Sequence, residues 1–182
     1  MSCSTSYRTL THISHWDTWR TPGKVWTIGA THLNVTSSKV LSSTPQIEFI
    51  NLLNSTRLTS QMDPHGSVAI SSAHLAFTVK PPHLNFATHT REDVYILPLD
   101  HSVHEPKQLT PKDHGAISSL KFSPDGKKLA WLEMAEDGYE SDKRVVTVHE
   151  LSKKGNGKTE KWTGDWDRSP SVLQVSYQMV RG

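Results

Sequence analysis

A single cysteine, Cys3, stands in the 182-residue chain. That excludes an internal disulfide and any metal site built on several thiolates. Apolar residues are scarce at 35%, which is lean for a compact globule. No apolar run approaches the roughly eighteen residues that a membrane-spanning helix needs. Neither sign of charge dominates, with 20 Lys plus Arg against 18 Asp plus Glu. Without a basic stripe, the chain lacks the electrostatic footprint of a nucleic-acid binder. The start, Met1-Ser2-Cys3-Ser4-Thr5-Ser6-Tyr7-Arg8, has no cationic segment leading into an apolar core, so it does not read as a signal peptide. His12-x-x-His15 and His101-x-x-His104 have no carboxylates at matching spacing, whereas zinc wants three or four convergent ligands. They read as surface histidines, and neither a metal nor a cofactor is expected.

What the chain does hold is a strand pattern. Ile117, Leu120 and Phe122 precede the turn Ser123-Pro124-Asp125-Gly126, and Leu129, Trp131 and Leu132 follow it. Proline presets such a turn and Asp-Gly closes it, which predicts a hairpin. A polar loop, Glu136 to Asp142, separates this hairpin from the β-branched run Val145 to Leu151. A Gly-rich turn, Lys153 to Lys158, then leads to a short strand over Thr159 to Trp162. Four strands in this order make one blade of a β-propeller.

The same pattern occurs once before. Val68 to Phe77 can be laid on Leu120 to Trp131, so that Ile70 matches Phe122 and Ser71 matches Ser123. Asp93 to Leu99 then takes the place of the Val145 strand, and Gln108-Leu109-Thr110 closes the unit. The period is 52 residues from Ile70 to Phe122 and 53 from Phe122 to Val175. A third hairpin is therefore expected to begin over Ser171 to Ser176. Upstream, Trp16-Asp17 and Val25 to Ile28 suggest the second half of another blade, with Ile47 to Leu53 as its last strand and a Ser/Thr-rich surface loop over Thr36 to Thr44. The expected division is an unassigned 1–11, a degenerate half-blade with its loop in 12–65, blades in 66–113 and 114–168, and the start of another in 169–182. The fold class is all-β, a partial propeller of about two to two-and-a-half blades whose ring does not close. Such an open piece would leave two blade faces uncovered.

Phe122-Ser123-Pro124-Asp125-Gly126-Lys127-Lys128-Leu129-Ala130-Trp131 resembles the TolB-type propeller repeat. More specific are Met134 to Arg144 and Asp165-Trp166-Asp167-Arg168-Ser169, together with His15-Trp16-Asp17, His83-Leu84-Asn85 and His89-Thr90-Arg91. These segments resemble the fungal dipeptidyl-peptidase V group of the prolyl oligopeptidase family of serine peptidases, from about His12 to Ser176 and patchily before residue 66. The resemblance implies a secreted parent in which a propeller screens peptide access to a Ser-Asp-His triad on an α/β-hydrolase domain. This chain would supply the middle-to-late propeller only. The early propeller, the signal peptide and the hydrolase domain are expected to be missing from it, which leaves its own compartment open.

A serine hydrolase of that class needs Gly-x-Ser-x-Gly, whose tight elbow exposes the nucleophile and builds half the oxyanion hole. The chain contains no such pentapeptide, so no catalytic residue is assigned and the isolated chain is expected to be inactive. Glu133 and Glu136, with Tyr139 nearby, have two readings. In an intact parent they could hold the α-ammonium of a peptide substrate through charge-assisted hydrogen bonds; otherwise they are a solvated loop. Asp165, Trp166, Asp167 and Arg168 read as structural, an Asp accepting backbone hydrogen bonds and a Trp packing between sheets. Trp16, Trp26, Trp131 and Trp162 read as packing residues too. Asn34-Val35-Thr36 and Asn54-Ser55-Thr56 fit the N-glycosylation acceptor pattern. The rival reading is a non-catalytic propeller that binds a protein partner.

Overall fold

The computed structural model describes residues 27–30, 34–36, 39–41, 50–54, 56–58, 67–85, 88–100, 105–139, 141–152 and 157–175. All regular structure among them is β-strand, and every pairing is antiparallel. Two short ribbons come first: β1 (Gly29–Ala30) pairs with β4 (Ile50–Asn51), and β2 (Asn34–Thr36) pairs with β3 (Lys39–Leu41). Two four-stranded sheets follow. One has the order β5 (Val68–Ile70), β6 (His74–Val79), β7 (Asp93–Pro98), β8 (Lys107–Gln108). The other is β9 (Ile117–Phe122), β10 (Lys128–Met134), β11 (Arg144–Glu150), β12 (Thr159–Lys161). Each is a meander with neighbours in chain order, and the described sheets do not close into a ring.

The turns form where the local chemistry dictates. In the β9–β10 turn, Ser123 Oγ donates to Asp125 Oδ1 (2.6 Å) and accepts from Lys128 N–H (2.9 Å), while Gly126 takes φ +67° and donates its N–H to Ser123 O. Left-handed backbone of that kind favours glycine. Fifty-two residues earlier, Ser71 does the same work between β5 and β6: its Oγ accepts the N–H of His74 at 2.9 Å. One hydroxyl at one point of the repeat thus closes both hairpins, although the first lacks Pro-Asp-Gly.

Side-chain alternation then sorts the first sheet's residues onto two faces. Leu75, Phe77 and Val79 of β6, with Tyr95 and Leu97 of β7, pack on Leu53 and Leu58 from upstream. Phe77 and Tyr95 stack at 6.0 Å between ring centroids. Ala76, Val94 and Ile96 point the other way, against Ile117, Leu120, Phe122, Leu129 and Trp131 of the second sheet. Trp131 and Phe77 are completely buried; burial of a large apolar side chain contributes on the order of 2–3 kcal/mol. With both faces covered, β6 is buried almost end to end, as expected of a strand inside a stack of sheets.

One irregularity makes the second core possible. Ile117 and Leu120 have opposite parity, yet both are buried in the same cluster. The register between β9 and β10 shifts between Ala130 and Leu132, so Ser119 and Leu120 together oppose Trp131. This bulge re-aims every residue after it. Ser119 sits there with φ +58°, and its N–H donates to Ser67 Oγ at the foot of β5 (3.0 Å).

Several expectations shift. The stretch 36–44 is not loop throughout, because Thr36 and Lys39 to Leu41 enter the β2–β3 ribbon, while 42–44 lie outside the described residues. Of the expected strand 47–53, the described part is strand only at Ile50 and Asn51; the Leu52 N–H still donates to Ile28 O (2.9 Å), and the chain then turns through Asn54. Residues 171–175 are not in a strand, and the rest of the expected hairpin lies outside the described residues. The outer face of the first sheet is not left bare, since Leu53 and Leu58 cap it. Exposed large apolar side chains lie at Ile50, at Val68 and Ile70 of β5, at Tyr139, and after β12 at Trp162, Trp166 and Val172, so Trp162 and Trp166 are not the packing residues expected. Trp16, Asp17, Trp26 and the histidines at 12, 15, 101 and 104 lie outside the described residues.

Candidate functional site

At one end of the two sheets the β10–β11 loop docks on the β6–β7 loop. Asp137 makes the joint: its Oδ1 accepts the backbone N–H of Thr90 and of Arg91, both at 2.9 Å, and its Oδ2 lies 2.6 Å from His89 Nδ1. Gly138, at φ +82°, returns an N–H to Thr90 Oγ1 (3.0 Å). Burial works against the Asp137 carboxylate, but the His89 hydrogen bond, the Arg91 amide, the charge of His89 and the Thr90 amide outweigh it and hold the carboxyl below the usual range. Asp142 braces the same loop from inside, its Oδ2 accepting the N–H of Ala135 (2.7 Å) and of Glu136 (3.0 Å).

Beneath this joint lies a buried ionic cluster. Arg91 forks onto Asp93, Nε to Oδ1 at 2.9 Å and Nη2 to Oδ2 at 3.1 Å. His114, from the connection between the sheets, brings Nε2 to within 3.2 Å of Asp93 Oδ1 and Nδ1 to 2.9 Å from Gly115 O. All three residues are buried. Both nitrogens of His114 lie within hydrogen-bonding distance of an oxygen, Asp93 Oδ1 and Gly115 O. Gly115 is tightly enclosed: a Cβ there would fall 2.0 Å from Glu136 O, so only glycine lets the connection pass under the loop.

The predicted acidic group does not assemble. Glu136 and Tyr139 are exposed on the loop, whereas Glu133 is buried within β10. Its Oε2 accepts the indole N–H of Trp131 (2.8 Å) and its Oε1 pairs with Lys161 Nζ (2.9 Å). Glu133 thus serves the packing of Trp131, two residues away on the same face. The segment 165–168 also differs from expectation. Trp166 is 58% exposed, and Asp165 and Asp167 accept no backbone hydrogen bond among the described residues. What holds the segment is Lys143, whose Nζ donates to Gly164 O (2.8 Å) and Trp166 O (3.0 Å), together with the Arg144 N–H on Ser169 Oγ (3.0 Å). Asn54 is exposed, and Asn34 belongs to β2. No group of three or more metal-ligating side chains occurs among the described residues. No described helix is long and apolar enough to cross a membrane.

Along the edge strands β5 and β9 runs a groove of about 770 Å3, lined also by residues 173–175. These three segments occupy equivalent points of the 52- and 53-residue repeat. Over its described residues the chain is therefore an unclosed, antiparallel, all-strand fold in which β5 and β9, edge strands of successive four-stranded sheets, line a common groove. It is homologous to fungal proteins named dipeptidyl-peptidase 5. It is 31% identical to that of Schizosaccharomyces pombe over 89% of this chain and 23% of the relative. With those of Trichophyton equinum and Trichophyton schoenleinii the identities are 40% and 39%, each over 56% of this chain and 15% of the relative. The chain thus spans less than a quarter of the length of each. No protein-family model matches it, and no solved structure does.

Sequence reasoning quoted His89-Thr90-Arg91 and the loop of Asp137 only as marks of likeness. It assigned no role to Asp137, Asp93 or His114. Nothing local signals that residues 47 apart share hydrogen bonds; the 52-residue repeat was the only available clue, since it makes the two loops neighbours.

Proposed function

We propose that this chain is the middle-to-late propeller portion of a secreted serine dipeptidyl-peptidase, with TolB-like four-stranded blades in 66–113 and 114–168 and a further blade beginning in 169–182. The observation that carries the reading is the groove lined by β5, β9 and residues 173–175, which in a closed ring would be a wall of the central passage. Peptides would reach the hydrolase part of the parent through it, so that the propeller selects by size. The homology to proteins named dipeptidyl-peptidase 5 supports the substrate class, and the acceptor triplets at Asn34 and Asn54 suit a secreted glycoprotein. Glu136 and Tyr139, exposed at the loop end, are the residues assigned to the substrate's α-ammonium; Glu133 is spent on Trp131 and Lys161. Lacking Gly-x-Ser-x-Gly, this chain contributes no nucleophile. Purified chain is expected to release no chromophore from dipeptidyl p-nitroanilides. Turnover abolished by a serine-directed inhibitor would overturn the assignment of the chemistry to other parts of the parent.

A further inference from the structure

The strands beside the groove each have one bare edge, since β5 pairs only with β6 and β9 only with β10. In an antiparallel ladder, alternate residues turn their backbone groups toward the partner strand or away from it. Two bonds fix the phase in β5: Ser71 N–H donates to His74 O (2.8 Å), and Ser67 O accepts from Thr78 N–H (3.0 Å). Ser67 and Ser71 therefore face β6, as does Ala69 midway between them, and Val68 and Ile70 turn their backbone groups outward. Their side chains are uncovered too, Val68 being 50% and Ile70 69% exposed. Edge strands are commonly blunted by a charge, a proline or a covering segment; Val68-Ala69-Ile70 has neither charge nor proline, and no other described strand pairs with it. The rest of the lining is neutral with one exception. Lys121, exposed on β9, is its sole charged residue, and its ammonium has no partner among the described residues. On the adjoining turn, by contrast, Lys127 lies 3.8 Å from Asp125 and Lys128 3.6 Å from Glu150.

We propose that an extended peptide with an acidic residue between two apolar ones adds to the free edge of β5, its backbone on the outward groups of Val68 and Ile70 and its carboxylate at Lys121. Strand addition takes affinity from main-chain hydrogen bonds and selectivity from alternate side chains. Apolar residues two apart lie beside Val68 and Ile70, and the residue between them points to the opposite face. That is the face of Ala69, which packs on the core shared with β9, the strand that carries Lys121. In an otherwise neutral groove a lone cation favours an acidic side chain and disfavours a basic one. This rests on the reading of the groove as a peptide passage and gives that passage a preference by charge as well as size. It requires neither a free α-amine nor a nucleophile, so it is tested on this chain without peptide cleavage.

The probe is acetyl-Val-Glu-Val-Ala-amide, titrated into the full chain with backbone amide resonances followed by NMR. Its acetyl cap removes the α-ammonium, so failure here leaves the peptidase reading standing, and failure of that reading leaves this site standing. Saturable shifts of the Val68 and Ile70 amides support the site. Binding should weaken about three- to fivefold with Gln in place of Glu, and further with Lys. A peptide N-methylated at its two central amides keeps the side chains but loses the donors, and should bind about tenfold more weakly. Lys121→Gln alters an exposed side chain, and circular dichroism checks its folding. It should abolish the preference for Glu over Gln and leave the affinity of the Gln peptide unchanged. The peptide series decides even where the variant misfolds. Unmoved Val68 and Ile70 amides, equal binding of the N-methylated peptide, or a Glu preference that survives Lys121→Gln would each overturn the proposal. So would a concentration-dependent dimer that the peptide does not dissociate and that Ile70→Lys abolishes, since a second copy would then hold the edge.

Discussion

Removing the Asp93 carboxylate tests the buried cluster most directly. Asp93 is 3% exposed and faces the Arg91 guanidinium, itself 8% exposed, and the buried His114. In Asp93→Ala the guanidinium keeps its burial and loses its counter-charge, and His114 loses an acceptor. Breaking one side of a buried pair costs about 3–5 kcal/mol, because the remaining charge is uncompensated. Domains are commonly stable by only about 5–15 kcal/mol, so this one change should remove a large share. Replacing both partners with apolar residues, Arg91→Met with Asp93→Leu, should recover most of the loss, to within about 1–2 kcal/mol of the parent, since no stranded charge remains. Urea unfolding followed by tryptophan fluorescence gives both values, because Trp131 lies in the core between the sheets. The reasoning fails if Asp93→Ala costs under about 1 kcal/mol, or if the double variant is no better than the single one.

Two further outcomes follow from the joints. In the folded chain the Asp137 carboxyl is held below its usual range, so its contribution is complete above the unfolded value near pH 4 and fades as pH falls through the lower folded value. Asp137→Asn should therefore lose stability at neutral pH and show a shallower acid limb in unfolding midpoints measured from about pH 7 to 2; identical limbs would refute the clamp. Asp125 and Asp142 shift in the same direction, which is why the comparison with the variant, and not the acid limb alone, is decisive. Ser119→Gly keeps the N–H that reaches Ser67 and relieves a left-handed conformation costing roughly 1–2 kcal/mol, against roughly 0.5–1 kcal/mol of added chain entropy. A net gain on the order of 0.5–1 kcal/mol should raise the melting temperature, and a lowered one would show that the hydroxyl does more than occupy the bulge.

Strand positions and hairpins were legible in the sequence because they rest on neighbours. The Ser123-Pro124-Asp125-Gly126 turn closes through bonds within five residues, and the Val145 run makes a strand on β-branching alone. The 52-residue spacing was legible for the same reason, since it compares one local pattern with another. Tertiary structure decided everything that spans the repeat. It put Glu133 under Trp131 and out of the acidic loop, and it placed a bulge at Ser119 so that Ile117 and Leu120 could share a core. It also joined Asp137 to His89 and Asp93 to His114, and left the buried His74 Nδ1 without a hydrogen-bond partner. Those outcomes depend on which side chains the two packed sheets bring face to face. A pattern read along one strand carries no information about the strand opposite it in the next sheet.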